Sequence, residues 1–142
     1  MCLENEQQPS AAQRAWKAKR VWKSLKGKNN GVLELTSTYP RYETFIYSPG
    51  RNVAEGVDSD HLAGLHCFLR QEDAEVEATK WGHETVVVVT ITGDDILAVG
   101  EFATTYLEPH TPCVRVRAAV LSKTEHTRAL CALRAKGARR HE

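Results

Sequence analysis

"TVVVVTITGDDILAVG", Thr85 to Gly100, is the stretch on which the fold turns. Val86 to Val89 are consecutive β-branched residues, which lose rotamer freedom in a helix and pack well on a pleated surface. The run is too long and too apolar for an exposed strand, so at least one face should be buried. Gly93-Asp94-Asp95 has turn chemistry and "ILAVGEF" follows, which predicts a hairpin with Gly100 as a candidate bulge. After Pro109 and Pro112 have interrupted pairing, "CVRVRAAVL" alternates Val114 and Val116 with Arg115 and Arg117 and predicts a third long strand.

Working upstream, "VLELTS" alternates apolar and polar residues after Asn30-Gly31, and "YETFIY" is rich in β-formers before Ser48-Pro49-Gly50. Both read as short strands. "GRNVAEGVDSDH" lacks a sustained period and reads as a loop. "GLHCFL", Gly64 to Leu69, places Leu65, Cys67 and Leu69 on one face and His66 with Phe68 on the other if it is extended. "QEDAEVEATKW" then starts a helix whose Glu72 and Asp73 suit its positive N-terminal end.

At the N-terminus, Ser10 is a candidate helix cap, and Ala11 to Leu25 is rich in helix formers before Gly27 or Asn29-Asn30-Gly31. Trp16 and Trp22 are six residues apart, about 240° around an ideal helix, so they cannot share a narrow stripe. One of them is therefore exposed, or the helix gives way early to an extended segment. At the other end, Ser122 or Thr124 would cap a modest amphipathic helix carrying Ala129, Leu130 and Leu133 before Gly137. The whole reads as α+β: an antiparallel sheet of about five strands with N-terminal, central and C-terminal helices. Residues 1–9 are expected to be a flexible N-terminus, 10–136 a single α+β domain, and 137–142 a basic flexible tail.

Composition narrows the function. The 142 residues are 42% hydrophobic, enough for one core, and no apolar run approaches the roughly 20 residues of a membrane span. The start has no secretory pattern and the four cysteines are widely spread. An intracellular protein, cytoplasmic or nuclear, with free thiols and no membrane partner is expected. The net charge of +1 hides an asymmetry: residues 1–30 carry seven Lys/Arg against two Glu, residues 122–142 six against two, and residues 31–121 six against fourteen acidic groups. Basic ends flank an acidic body. Solvated charge explains them, or they meet phosphate or an acidic surface.

Several chemistries are discouraged. On a strand His66 and Cys67 point to opposite faces, so His66 cannot act as the immediate base for Cys67. His61, His66, Cys67, His83, His110 and Cys113 are candidate metal ligands, yet "HTPC" has no second pair at ligand spacing, so no metal or other cofactor is expected. Phosphate-loop, dinucleotide, nucleophile-elbow and zincin motifs are absent. Glu72-Asp73 and Asp94-Asp95 sit at a helix start and a turn, where carboxylates have ordinary structural roles.

The order "AWKAKRVWKSL…NNGVLELTS…PRYETFIYSPG…AGLHCFLRQEDAEVEA…VVVVTITGDDILAVGE" resembles a group of small proteins of phages and large DNA viruses. Trp22, Gly31, Tyr47, Gly50, Gly64, His66, Phe68 and Ala74 carry the resemblance, which covers about residues 15–121. It implies a compact α+β module and a viral accessory protein, and it transfers no catalytic role. Function is accordingly expected to be a non-catalytic binding or adaptor module with a protein partner, engaged through Tyr39 to His66 or through the basic ends. A different-class alternative is a small enzyme for a nucleotide or phosphorylated ligand, with His66 as acid or base and Arg41, Tyr42, Tyr47 and Arg51 around the anion. A third is nucleic-acid binding by Trp16, Trp22, Lys19, Arg20 and Lys23. An open strand edge would also allow a homodimer.

Overall fold

Val21 and Leu25 are fully buried, and their burial overrides the helix expected over Ala11 to Leu25. Helix propensities differ by only tenths of a kcal/mol per residue, whereas burying one such side chain contributes about 1.5–3 kcal/mol. The computed structural model describes residues 3–29, 33–38, 44–57, 63–82, 85–102 and 111–140. In it the first helix, α1 (Ala11–Arg14), is a single turn in which Ser10 and Gln13 form a capping box. The chain then extends into β2 (Lys19–Asn29), so the early switch to an extended segment is what occurs. This strand is the centre of the sheet.

Among the described residues, ten strands form one antiparallel sheet in place of the expected five or so. Its remaining strands are β1 (Glu4–Gln7), β3 (Leu33–Thr38), β4 (Thr44–Tyr47), β5 (Gly50–Val53), β6 (Leu65–Phe68), β7 (Thr85–Ile91), β8 (Ile96–Phe102), β9 (Thr111–Val116) and β10 (Ala118–Leu121). The order is β1-β8-β9-β6-β2-β7-β10-β5, with β3 pairing β2 and β4 pairing β3. Part of the undercount lies at the ends. Within the segment expected to be a flexible N-terminus lies β1, which pairs Glu4 with Glu101, and the expected loop after Pro49 begins with β5 along β10.

The predicted hairpin is also absent. β7 pairs with β2 and β10, while β8 pairs with β1 and β9. Between them Gly93–Asp95 forms a 3-10 turn held from two directions. The Gly93 amide donates to the Trp16 carbonyl at 2.8 Å, and the Arg117 amide to the Asp95 carbonyl at 2.7 Å. A Cβ on Gly93 would collide with the Arg14 carbonyl, so this approach of backbone to backbone requires glycine. The irregularity in β8 falls between Ile96 and Ala98 rather than at Gly100. The expected third strand divides at Arg117 into β9 and β10.

That division closes the architecture. β2 pairs with β6 on one side and β7 on the other; β6 pairs with β9 and β7 with β10, and Arg117 alone joins β9 to β10. The sheet therefore curls back on itself, and its inner face holds Val21, Leu25, Leu65, Cys67, Val87, Val89, Val114, Val116 and Leu121. Outside, α2 (Gln71–Trp81) covers part of the outer face, where Ala74 packs with Phe68 and Cys113 beside Trp22 and Val86. α3 (Lys123–Arg140) packs against β7 and β3. The Ser122 hydroxyl accepts the Glu125 amide at its start, and Ala129 and Leu133 enter the main core. No described helix is long and apolar enough to cross a membrane.

Candidate functional site

Alternation along β2 and β7 creates the site. Val21, Lys23 and Leu25 face inward, which turns Arg20, Trp22 and Ser24 outward beside Val86 and Val88 of β7. α2 does not cover all of this outer face. Arg20, Trp22, Gln71, Glu75, Thr85, Val86, Val88, Glu125 and Arg128 line an open groove of about 450 Å³. Trp22 is half-buried there, with Val86, against the smaller apolar cluster.

Helix α3 builds one wall by taking over part of the β7 edge. A Glu125 carboxylate oxygen accepts the Val88 amide at 3.1 Å, and the Arg128 guanidinium donates to the Val86 carbonyl at 2.9 Å. The two side chains also bond to each other, with contacts of 2.8 and 3.0 Å. Hydrogen bonding from Arg128 holds the Glu125 carboxyl below its usual range, aided by the Val88 amide and the charge of Arg20. Opposite, Gln71 donates to Glu75 at 3.1 Å. The Arg20 side chain is exposed and enters no hydrogen bond or ion pair among the described residues.

The second polar cluster is buried. The Lys23 ammonium donates to the His66 carbonyl at 2.7 Å, and Arg115 donates to the Ala63 carbonyl at 2.7 Å and pairs with Glu6 at 3.2 Å. His66 is only 8% exposed. Burial first, then the neighbouring charge of Lys23, pushes its pKa down to about 3, so the imidazole is neutral at physiological pH. Glu77 accepts from the Ser24 hydroxyl at 3.4 Å, and burial raises its carboxyl while Lys23 opposes the rise. Burial also pushes the Cys67 thiol up to about 11 and raises Cys113. Neither thiol is poised as a nucleophile.

Among the residues proposed from sequence, Arg20 reaches the groove together with Trp22. Trp16 is half-buried against the main core, with the Lys19 ammonium 5.2 Å from its ring centre, whereas Lys23 is enclosed. Tyr47 on β4 is buried in an edge contact with Phe45, and Arg51 on β5 is exposed and pairs with Asp95 at 3.1 Å. Arg41 and Tyr42 lie outside the described residues, as do Tyr39, His61, His83 and His110. His66, Tyr47 and Arg51 thus occupy three different strands, and of these only Arg51 is exposed.

Sequence reasoning missed Gln71, Glu75, Val86, Val88, Glu125 and Arg128, which reach the groove from two helices and one strand. The only local signal was the i,i+3 spacing of Glu125 and Arg128 after the Ser122 cap. Among the described residues, no group of three His, Cys, Asp or Glu side chains is placed to hold a metal ion. Compared with known proteins, the chain matches no protein-family model, no curated protein and no solved structure.

Proposed function

We propose that this protein is a non-catalytic binding module that receives a flat, anionic group of its partner in the groove above Trp22. The observation that carries this reading is the half-buried indole in an open groove beside Arg20 and Arg128. A partly covered aromatic ring offers a rigid contact surface at little entropic cost, and guanidinium groups beside it select for negative charge. The volume falls in the usual range for ligand sites, about 300–1,000 Å³.

The state of the ionisable groups favours binding over chemistry. Glu125 is committed to Arg128 and a backbone amide, and Glu75 is exposed and bonded to Gln71. His66, the side chain that the enzyme alternative requires, is buried within the influence of the Lys23 and Arg115 charges rather than presented to a ligand. The resemblance to viral proteins rests partly on Gly64, His66 and Phe68, all buried here, so it speaks to architecture and leaves the groove to supply the specificity.

The test is amide and indole chemical-shift mapping of the labelled chain against a panel of aromatic carboxylates and phosphates. Shifts at Arg20, the Trp22 indole, Glu75, Val86 and Val88 are expected for at least one compound. Shifts confined to another face, or none with the whole panel, would reject the groove as the binding site.

A further inference from the structure

Building on that reading of the groove, we propose that its occupant is a single nucleotide unit, with the base on Trp22, the base N–H edge at Glu75, and the phosphate at Arg20 and Arg128. The charges are distributed for a ligand with two unlike ends. Arg20, Arg128 and Glu125 carry a net single positive charge, and the carboxylate is already engaged by Arg128 and the Val88 amide. The Arg20 guanidinium keeps its donors, because its side chain enters no hydrogen bond or ion pair among the described residues and reaches Glu125 only through its charge. The α2 wall presents Glu75, whose carboxylate is oriented by Gln71.

A ligand that satisfies both walls needs an anion at one end, N–H donors at the other, and a planar group between them. A nucleotide unit has this order, because bases of every kind stack on an aromatic ring and the ring N–H and exocyclic amino groups donate to a carboxylate. An α-amino acid does not, since its ammonium and carboxylate share one carbon and cannot reach opposite walls. Aromatic anions without N–H donors would leave Glu75 without a partner from the ligand.

The same charge count limits the length of the ligand. Two arginines against the two carboxylates Glu75 and Glu125 provide contacts for one phosphate and no basic track for a polyanion, so the affinity of a strand should fall with salt at a slope of about one. Free mononucleotides and one residue of a single strand share this chemistry, and the salt slope separates them from a strand held along its backbone.

Titration calorimetry of the full chain with AMP, CMP, GMP, UMP, phenyl phosphate and hexadeoxyadenylate tests the assignment. At least one mononucleotide should bind about tenfold more tightly than phenyl phosphate. Arg20→Ala should weaken both kinds of ligand about tenfold. Glu75→Gln should bring the favoured mononucleotide down towards phenyl phosphate while leaving phenyl phosphate unchanged. Both substituted residues are exposed, and circular dichroism should show unchanged folding. Equal binding of phenyl phosphate and the mononucleotides would overturn base recognition and leave the aromatic-anion groove standing; no binding by any probe would reject the groove as well. Hexadeoxyadenylate binding with a salt slope of several would replace the single-unit site with a backbone track.

Discussion

His66 shows how one residue can advertise chemistry and serve the core. Its neighbours on the strand alternate between the two apolar clusters, Cys67 inward and Phe68 outward, and its own ring is enclosed near Lys23 and Arg115. The unfolded chain takes up a proton near pH 6.5 and the folded chain only near pH 3, so between those values the unfolded state binds more protons. Stability contributed by the neutral imidazole is therefore present above pH 6.5 and lost on acidification, by up to about 1.4 kcal/mol per pH unit. Glu77 opposes part of this trend above its ordinary range, because its raised carboxyl makes stability fall as pH rises. Urea unfolding at pH 7, 5.5 and 4.5 should show the acid loss in the wild type and a flatter profile for His66→Gln. An unchanged slope in the variant would assign the acid sensitivity to other groups.

At the scale of elements, two contacts decide how the chain is routed. Glu125 bonds the Val88 amide, so Glu125→Ala should leave that amide without its partner and cost about 1–3 kcal/mol in urea unfolding. Faster hydrogen exchange at the Val88 amide is the local signature. Where α1 meets the 3-10 turn, Gly93→Ala must separate two backbones and should destabilise by about 1–3 kcal/mol, with loss of exchange protection at residue 93. The sequence showed α2, α3 and the Ser10 cap because their signals are local. It misled over α1 and the hairpin, where burial of Val21 and Leu25 and pairing of β7 with β2 outweigh local preference.

For the whole molecule, the basic N-terminal segment is no appendage. Lys19 to Leu25 pair residue by residue with β7, and Trp22 faces Phe68 of β6. Deleting residues 1–28 removes β1, α1 and nearly all of β2. The truncated chain should show no cooperative thermal transition, whereas a two-state melt with native far-UV dichroism would contradict the central place of β2. Closure of the sheet through Arg117 has the same long-range character, since it depends on β9 pairing with β6 and β10 pairing with β5 and β7.

The sequence alone carries the α+β class, the β-branched centre at Val86 to Val89, the alternation of His66 and Cys67, and the helices α2 and α3. Each follows from residue type and spacing within one element. Long-range contacts make the segment of Lys19 to Asn29 a central strand, part β7 from β8, and bring Arg20, Trp22, Glu75 and Arg128 into one groove. The groove's walls come from α2, α3 and the two strands β2 and β7. Their meeting is fixed by long-range pairing and burial, which local periodicity does not encode.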